Sequence, residues 1–203
     1  MGEKVDSMKK MFALVLALVL FMAEGMAVTL VNGAPKSGIG SFTASILDSV
    51  PTFKFEHRIG GIGCGTCPVY TAPDRNAFRA ANGKASCATN ADVDVGGFSN
   101  GWLLVRYSTN NGGTRVGWIP PEYVKKVKTS MQPRFTRIEQ TAEYDFYVSD
   151  NNYDPYNSSS FFAKLTEGED YWIIGRYNYY QYDLWYIEFY IGNQLARGFI
   201  PVD

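Results

Sequence analysis

The stretch GWLLVRYSTNNGGTRVGWIPPEYV, Gly101 to Val124, has a counterpart at the end of the chain: LWYIEFYIGNQLARGFIPVD, Leu184 to Asp203. Each reads as a tryptophan, a β-rich run, a turn, a second β-rich run and a closing Gly-aromatic-Ile-Pro. Self-similarity of this kind calls for two units of one plan. Upstream the match continues. VYTAP at Val69 aligns with FYVSD at Phe146, and each leads into a polar excursion. ADVDV (91–95) alternates like a half-buried strand, and EDYWIIG (169–175) holds the equivalent place. Gly96-Gly97 reads as a turn. Asn111-Gly112 reads as a two-residue hairpin turn, because both of its positions need positive φ. Gly192-Asn193 is the matching turn of the second unit. The sequence therefore predicts an all-β protein of two small barrels or sandwiches, residues 53–128 and 132–203, with about five short strands each. Composition agrees: 14 Tyr, 13 Phe and 4 Trp suit pleated surfaces, and 20 Gly suit tight turns.

The first 27 residues read as a signal peptide. Met8-Lys9-Lys10 is a basic start, Met11 to Ala23 is unbroken apolar sequence, and Gly25 and Ala27 supply small residues for cleavage. The apolar run would span only about 20 Å as a helix, short of a bilayer core of roughly 30 Å. A retained anchor is the alternative. Residues 28–52, rich in Gly, Ser, Pro, Ala and Thr, read as a linker. The expected location is secreted or at the cell surface. A net charge of −1 argues against nucleic acid as a partner, since phosphate binding requires a basic excess.

Asn100, Gly101, Trp102, Val105, Gly117, Trp118 and Ile119, followed by PPEYV, resemble the bacterial SH3-like domain (SH3b). In the second unit Trp185, Gly198, Phe199, Ile200 and Pro201 fit the same pattern, although Asp183-Leu184 replaces Asn-Gly. The resemblance implies two tandem SH3-like barrels in an exported binding protein. It also implies peptidoglycan, another cell-surface polymer or a secreted protein as partner. Tyr70, Trp102, Pro120 and Tyr123 match positions that line the SH3 ligand groove.

Catalysis finds little support. The single histidine, His57, would have to serve any Cys–His or Ser–His–Asp site. Cys64, Cys67 and Cys87 together with His57 have the ligand types of a zinc site but not its paired spacing, so no metal or cofactor is expected. In an exported chain a disulfide from Cys87 to Cys67 or Cys64 is the more natural use, with three reduced thiols as the alternative. Asp92 and Asp94 on one strand face read as a solvated edge. A cell-wall hydrolase with an unrecognised site and an adaptor for another secreted protein are the rival functions.

YNYYQYDLWY (177–186) concentrates aromatic residues. Tyr177, Tyr179, Tyr180, Tyr182 and Trp185 are therefore candidates for an exposed platform on which sugars or peptide side chains stack. The competing reading places these rings in the core and between the two units. Lys125, Lys126, Lys128, Arg134 and Arg137 form a basic linker, read mainly as solvated.

Overall fold

The computed structural model describes residues 49–58, 65–88, 92–124, 132–179 and 182–202. The segment expected to be a signal peptide, most of the expected linker, Cys64, Lys125, Lys126, Lys128 and Tyr180 lie outside them. The described chain is mostly β-strand with almost no helix. No described helix is long and apolar enough to cross a membrane.

In the first half, β2 (Glu56–Arg58), β5 (Val93–Ser99), β6 (Trp102–Ser108) and β7 (Thr114–Ile119) form a four-stranded antiparallel sheet in that order. β3 (Thr66–Pro68) and β4 (Ser86–Ala88) pair beside it. The turn joining β5 to β6 is Asn100-Gly101, with φ of 50° and 81°. Two positive φ values are what a tight hairpin with native strand twist needs. Gly96-Gly97 is not a turn. It lies inside β5 at a register shift, where a Cβ on Gly96 would come within 2.8 Å of Leu104 Cδ2. These glycines thus serve a bulge and a close approach rather than a reversal. The β6–β7 connection is also longer than a two-residue turn. It spans 109–113, Thr109 N donates to Gly113 O at 2.8 Å, and of Asn111 and Gly112 only Gly112 has positive φ. PPEYV forms a short turn, a 3₁₀ segment at Pro121–Tyr123.

In the second half, β8 (Ile138–Thr141), β9 (Phe146–Ser149), β10 (Phe161–Leu165), β11 (Asp170–Tyr179), β12 (Tyr182–Ile191) and β13 (Gln194–Pro201) belong to one sheet. Its order runs β11-β12-β13-β9-β10, with β8 on β11. The first-half pairings recur here. β2 lies antiparallel to β5, and β8 to β11. The shift at Val95/Gly97 has a counterpart at Ile173/Gly175. Cys67 faces Cys87 as Phe146 faces Leu165. Tyr70 bridges Trp118 as Ser149 pairs with Phe199. Gly117 and Gly198 occupy matching crossings. A Cβ on either would come within 2.4 Å of a valine methyl, on Val69 or on Val148. The structural partner of Val69 is therefore Val148, two residues beyond the Phe146 that the sequence alignment selects.

The halves do not stand apart. β1 (Thr52–Phe53) straddles the expected boundary between linker and first unit, and it pairs in parallel with Arg176 and Tyr177 of β11 in the second half. Phe53 then packs on Tyr177, Tyr186 and Phe199, with ring centroids at 5.6, 5.4 and 6.4 Å. One buried cluster joins Trp102, Leu104, Val116 and Trp118 to Ile174, Tyr177, Leu184, Tyr186 and Phe199. Within it Trp118 Nε1 donates to the Tyr186 hydroxyl at 3.0 Å, which satisfies two polar atoms that burial would otherwise strand. Backbone bonds cross as well: Phe78 N donates to Leu195 O at 2.8 Å, and Val116 N to Asp150 O at 2.7 Å. Each fully buried large apolar side chain contributes about 1.5–3 kcal/mol. The shared cluster therefore stabilises both halves together.

Candidate functional site

The first half carries an aromatic surface around the start of β6. Trp102 begins the strand directly after the Asn100-Gly101 turn, and Gly101 approaches Pro121 closely, at 3.2 Å from an added Cβ. That turn sets the Trp102 ring edge-on to Tyr70, with centroids 5.5 Å apart. Tyr70 is half-buried and held by its bridge to Trp118, while Trp102 keeps 8% of its surface accessible. Arg79 covers the Tyr70 ring at 5.3 Å and donates from Nη2 to Ala85 O at 2.7 Å. Tyr123 ends the 3₁₀ turn, half-buried against the core.

Charge gathers at the rim. Arg75 Nη2 lies 2.5 Å from Glu122 Oε2, and both side chains are exposed. The bond holds the Glu122 carboxyl below its ordinary range and the Arg75 guanidinium above its own. The Tyr70 and Tyr123 phenols raise Arg75 further, so both rings lie within electrostatic reach of it. Tyr70 and Tyr123 therefore stand near the Arg75–Glu122 pair, with Trp102 buried beside Tyr70. Half-buried rings beside exposed charges can offer a ligand both apolar contact and charge discrimination.

Of the four residues expected to line a ligand groove, Tyr70 and Tyr123 are half-buried and Trp102 is buried, its ring against Tyr70. Pro120 is not available for contact. It is buried, and its carbonyl accepts from Tyr123 N at 3.1 Å to open the 3₁₀ turn. Arg75, Arg79 and Glu122 were not anticipated as groove residues. The only sequence signal for them is their position in the polar excursion and the closing turn.

The platform expected in the second half is corrected in two places. Tyr177 is 2% exposed, with Phe53, Phe55 and Phe199 around it and its hydroxyl accepting from Arg106 Nη1 at 3.0 Å. Trp185 is fully buried in the core. Neither offers a face to a ligand, because the seam between the halves and the core of the second half take up their rings. Tyr182 is half-buried against Tyr156, at 5.9 Å. The side chains of Tyr179 and Tyr180 lie outside the described residues. Among the described residues, the large rings most open to solvent are Tyr153, Tyr156 and Tyr190. Tyr153 and Tyr156 stand in the polar DNNYDPYN excursion, and Asn, Asp and Pro around an aromatic residue are the sequence signal for such exposure.

The cysteines form no bridge between β3 and β4. Cys67 and Cys87 are buried thiols on directly opposed residues, with Cys67 Sγ donating to Cys87 O at 3.4 Å. Burial first, and then Cys67, push the Cys87 thiol up to about 12. A thiol so hard to ionise is a poor nucleophile. His57 lies in β2 opposite Asp94. Among the described residues no group of three His, Cys, Asp or Glu side chains is disposed to hold a metal ion.

Comparison with known proteins finds no matching protein family, no matching curated protein and no matching solved structure.

Proposed function

We propose that the chain is an exported, non-enzymatic binding protein built from two SH3-like barrels, which recognises cell-wall peptidoglycan or a related surface partner. The observation that supports this reading is the grouping of the Tyr70 and Trp102 rings and Tyr123 with the exposed Arg75–Glu122 pair. The strand-for-strand recurrence of pairing in the two halves, with glycines at matching crossings, supports the duplication. The raised Cys87 thiol supports a binding role over thiol catalysis. Binding rests on the first half, because the second half spends Tyr177 and Trp185 on packing.

Co-sedimentation with purified, insoluble peptidoglycan tests this. The native chain is expected in the pellet. The double variant Tyr70→Ala, Tyr123→Ala is expected to lose at least tenfold in apparent affinity while keeping the native circular dichroism spectrum. Equal retention of both proteins, or none of either, overturns the proposal.

A further inference from the structure

The face of β11, β12 and β13 that packs on the first half does not end at the seam. Residues directly opposed in antiparallel strands share a face, and so do alternate residues of one strand. Tyr186 and Phe199, opposed on this face, are buried in the shared cluster. Two residues further along β12, Glu188 is opposed to Arg197 on one side and to Trp172 on the other. Trp172 in turn is opposed to Glu139 of β8. Another two residues along their strands, Tyr190 and Asp170 carry the same face past the seam.

The near part of this face is locked. Glu188 is buried, and its Oε1 lies 3.0 Å from Arg137 Nε. Its Oε2 lies 2.7 Å from Arg197 Nη2 and 2.8 Å from Arg197 Nε. Arg197 stacks over Trp118 and Phe135, at 5.6 and 5.3 Å, which ties this network to the seam. Exposed Arg137 lies over the half-buried Trp172 ring at 4.3 Å. The face thus already seats one guanidinium, on an indole and against a carboxylate.

The far part sets the same two ingredients, ring and carboxylate, in the open. Tyr190 is 47% exposed and stands edge-on to Trp172 at 6.2 Å. Asp170 and Glu139 are both exposed. Among the described residues neither carboxylate forms an ion pair, and Asp170 accepts a single hydrogen bond, from Thr141 Oγ1 at 2.8 Å. Three carboxylates against two guanidinium groups leave the face negative, and both guanidinium groups are engaged by Glu188. A cationic side chain is attracted by the carboxylates and by the ring, and an anionic one is repelled. Spacing selects the partner further. Glu139 and Asp170 are diagonal neighbours on adjacent strands, a separation of about 7–8 Å. Side chains two residues apart in an extended peptide are about 6.5–7 Å apart.

We propose that this face docks an extended basic peptide, with one cationic side chain on Tyr190 beside Asp170 and a second, two residues away, at Glu139. Amide NMR titration of the folded chain with acetyl-Gly-Arg-Gly-Arg-Gly-amide tests it. Saturable shifts are expected at Glu139, Asp170, Trp172 and Tyr190. The same peptide with citrulline for both arginines keeps the shape without the charge, and should bind at least about fivefold more weakly. Asp170→Asn and Tyr190→Ala, both at exposed positions, should each weaken the arginine peptide about threefold or more. The double variant Tyr70→Ala, Tyr123→Ala should bind it unchanged, so this proposal and peptidoglycan retention fail separately. Absence of saturable shifts at these amides overturns the proposal. Equal binding of the citrulline peptide overturns it by removing the role of charge, and unchanged affinity in either single variant by removing the face. A saturable response to chitotriose without one to the peptide overturns it by assigning the face to sugars.

Discussion

Asp150 shows how a single side chain can carry the contact between the halves. Its backbone carbonyl accepts from Val116 N, and its carboxylate meets Arg115. Burial raises its pKa from an ordinary 3.8 to about 6, and Arg115 offsets only part of that. A folded value above the unfolded one means that the native state holds the proton more tightly. The contribution to stability is therefore fully present below about pH 4 and is lost as pH rises through about 6. A difference of this size corresponds to roughly 3 kcal/mol. Asp150→Asn removes the titration with little change of shape. Urea denaturation is expected to show wild type losing about 2–3 kcal/mol relative to that variant between pH 4 and pH 7.5. A pH-independent gap would rule out this account. Nothing in the residues DNN at 150–152 announces this role, because Arg115 is 35 residues away in sequence and meets Asp150 only across the seam.

At the scale of elements, the two glycine crossings decide how closely strands approach. Gly198 of β13 sits over Val148 and Ser149 of β9, where an added Cβ would lie 2.4 Å from Val148 Cγ1 and 2.9 Å from the Ser149 carbonyl oxygen. A backbone oxygen cannot give way as a flexible side-chain end can. Gly198→Ala is expected to cost about 1–3 kcal/mol in chemical denaturation, with an unchanged m-value. Stability within 0.3 kcal/mol of wild type would remove the crossing as a constraint. The strand pattern was legible in the sequence wherever a β-rich run was bounded by a turn signal or matched in the other half, as in β5, β6, β7, β12 and β13. Turn positions were less so. Gly96-Gly97 offers as strong a local turn signal as Asn100-Gly101, and only the need to pack against Leu104 and Phe55 separates them. The rings of β11 and β12 failed for the same reason. A lone β-sheet unit of this size cannot bury Tyr177 and Tyr186, but the second half packed against the first does.

At the scale of the molecule, the two halves act as one folding unit. Trp118 and Tyr186 share a hydrogen bond across the seam, Phe78 stacks on Phe162 at 5.7 Å, and the cluster around Phe53 draws from both sides. Separating the halves would expose these rings and leave the Trp118 indole and Tyr186 phenol without their mutual bond. Polypeptides 53–128 and 132–203 expressed singly are expected to lack cooperative thermal unfolding, while 49–203 unfolds in one transition. Calorimetry on the three would decide this, and two independent, cooperative halves would contradict it. The closeness of Tyr70 to Trp102 was legible because both belong to one half, whereas the approach of Tyr153 to β5 and β6 was not, since it comes from the other half.

The parallel pairing of Thr52–Phe53 with β11 also has a kinetic side. This two-residue strand takes its place on a strand that is synthesised more than a hundred residues later. Until then Phe53 has no socket, and the rings destined to surround it stay open to chaperones and to one another. Closing that long loop completes maturation, so a chain halted before residue 179 would present its opening strand as a sticky end rather than as a clasp.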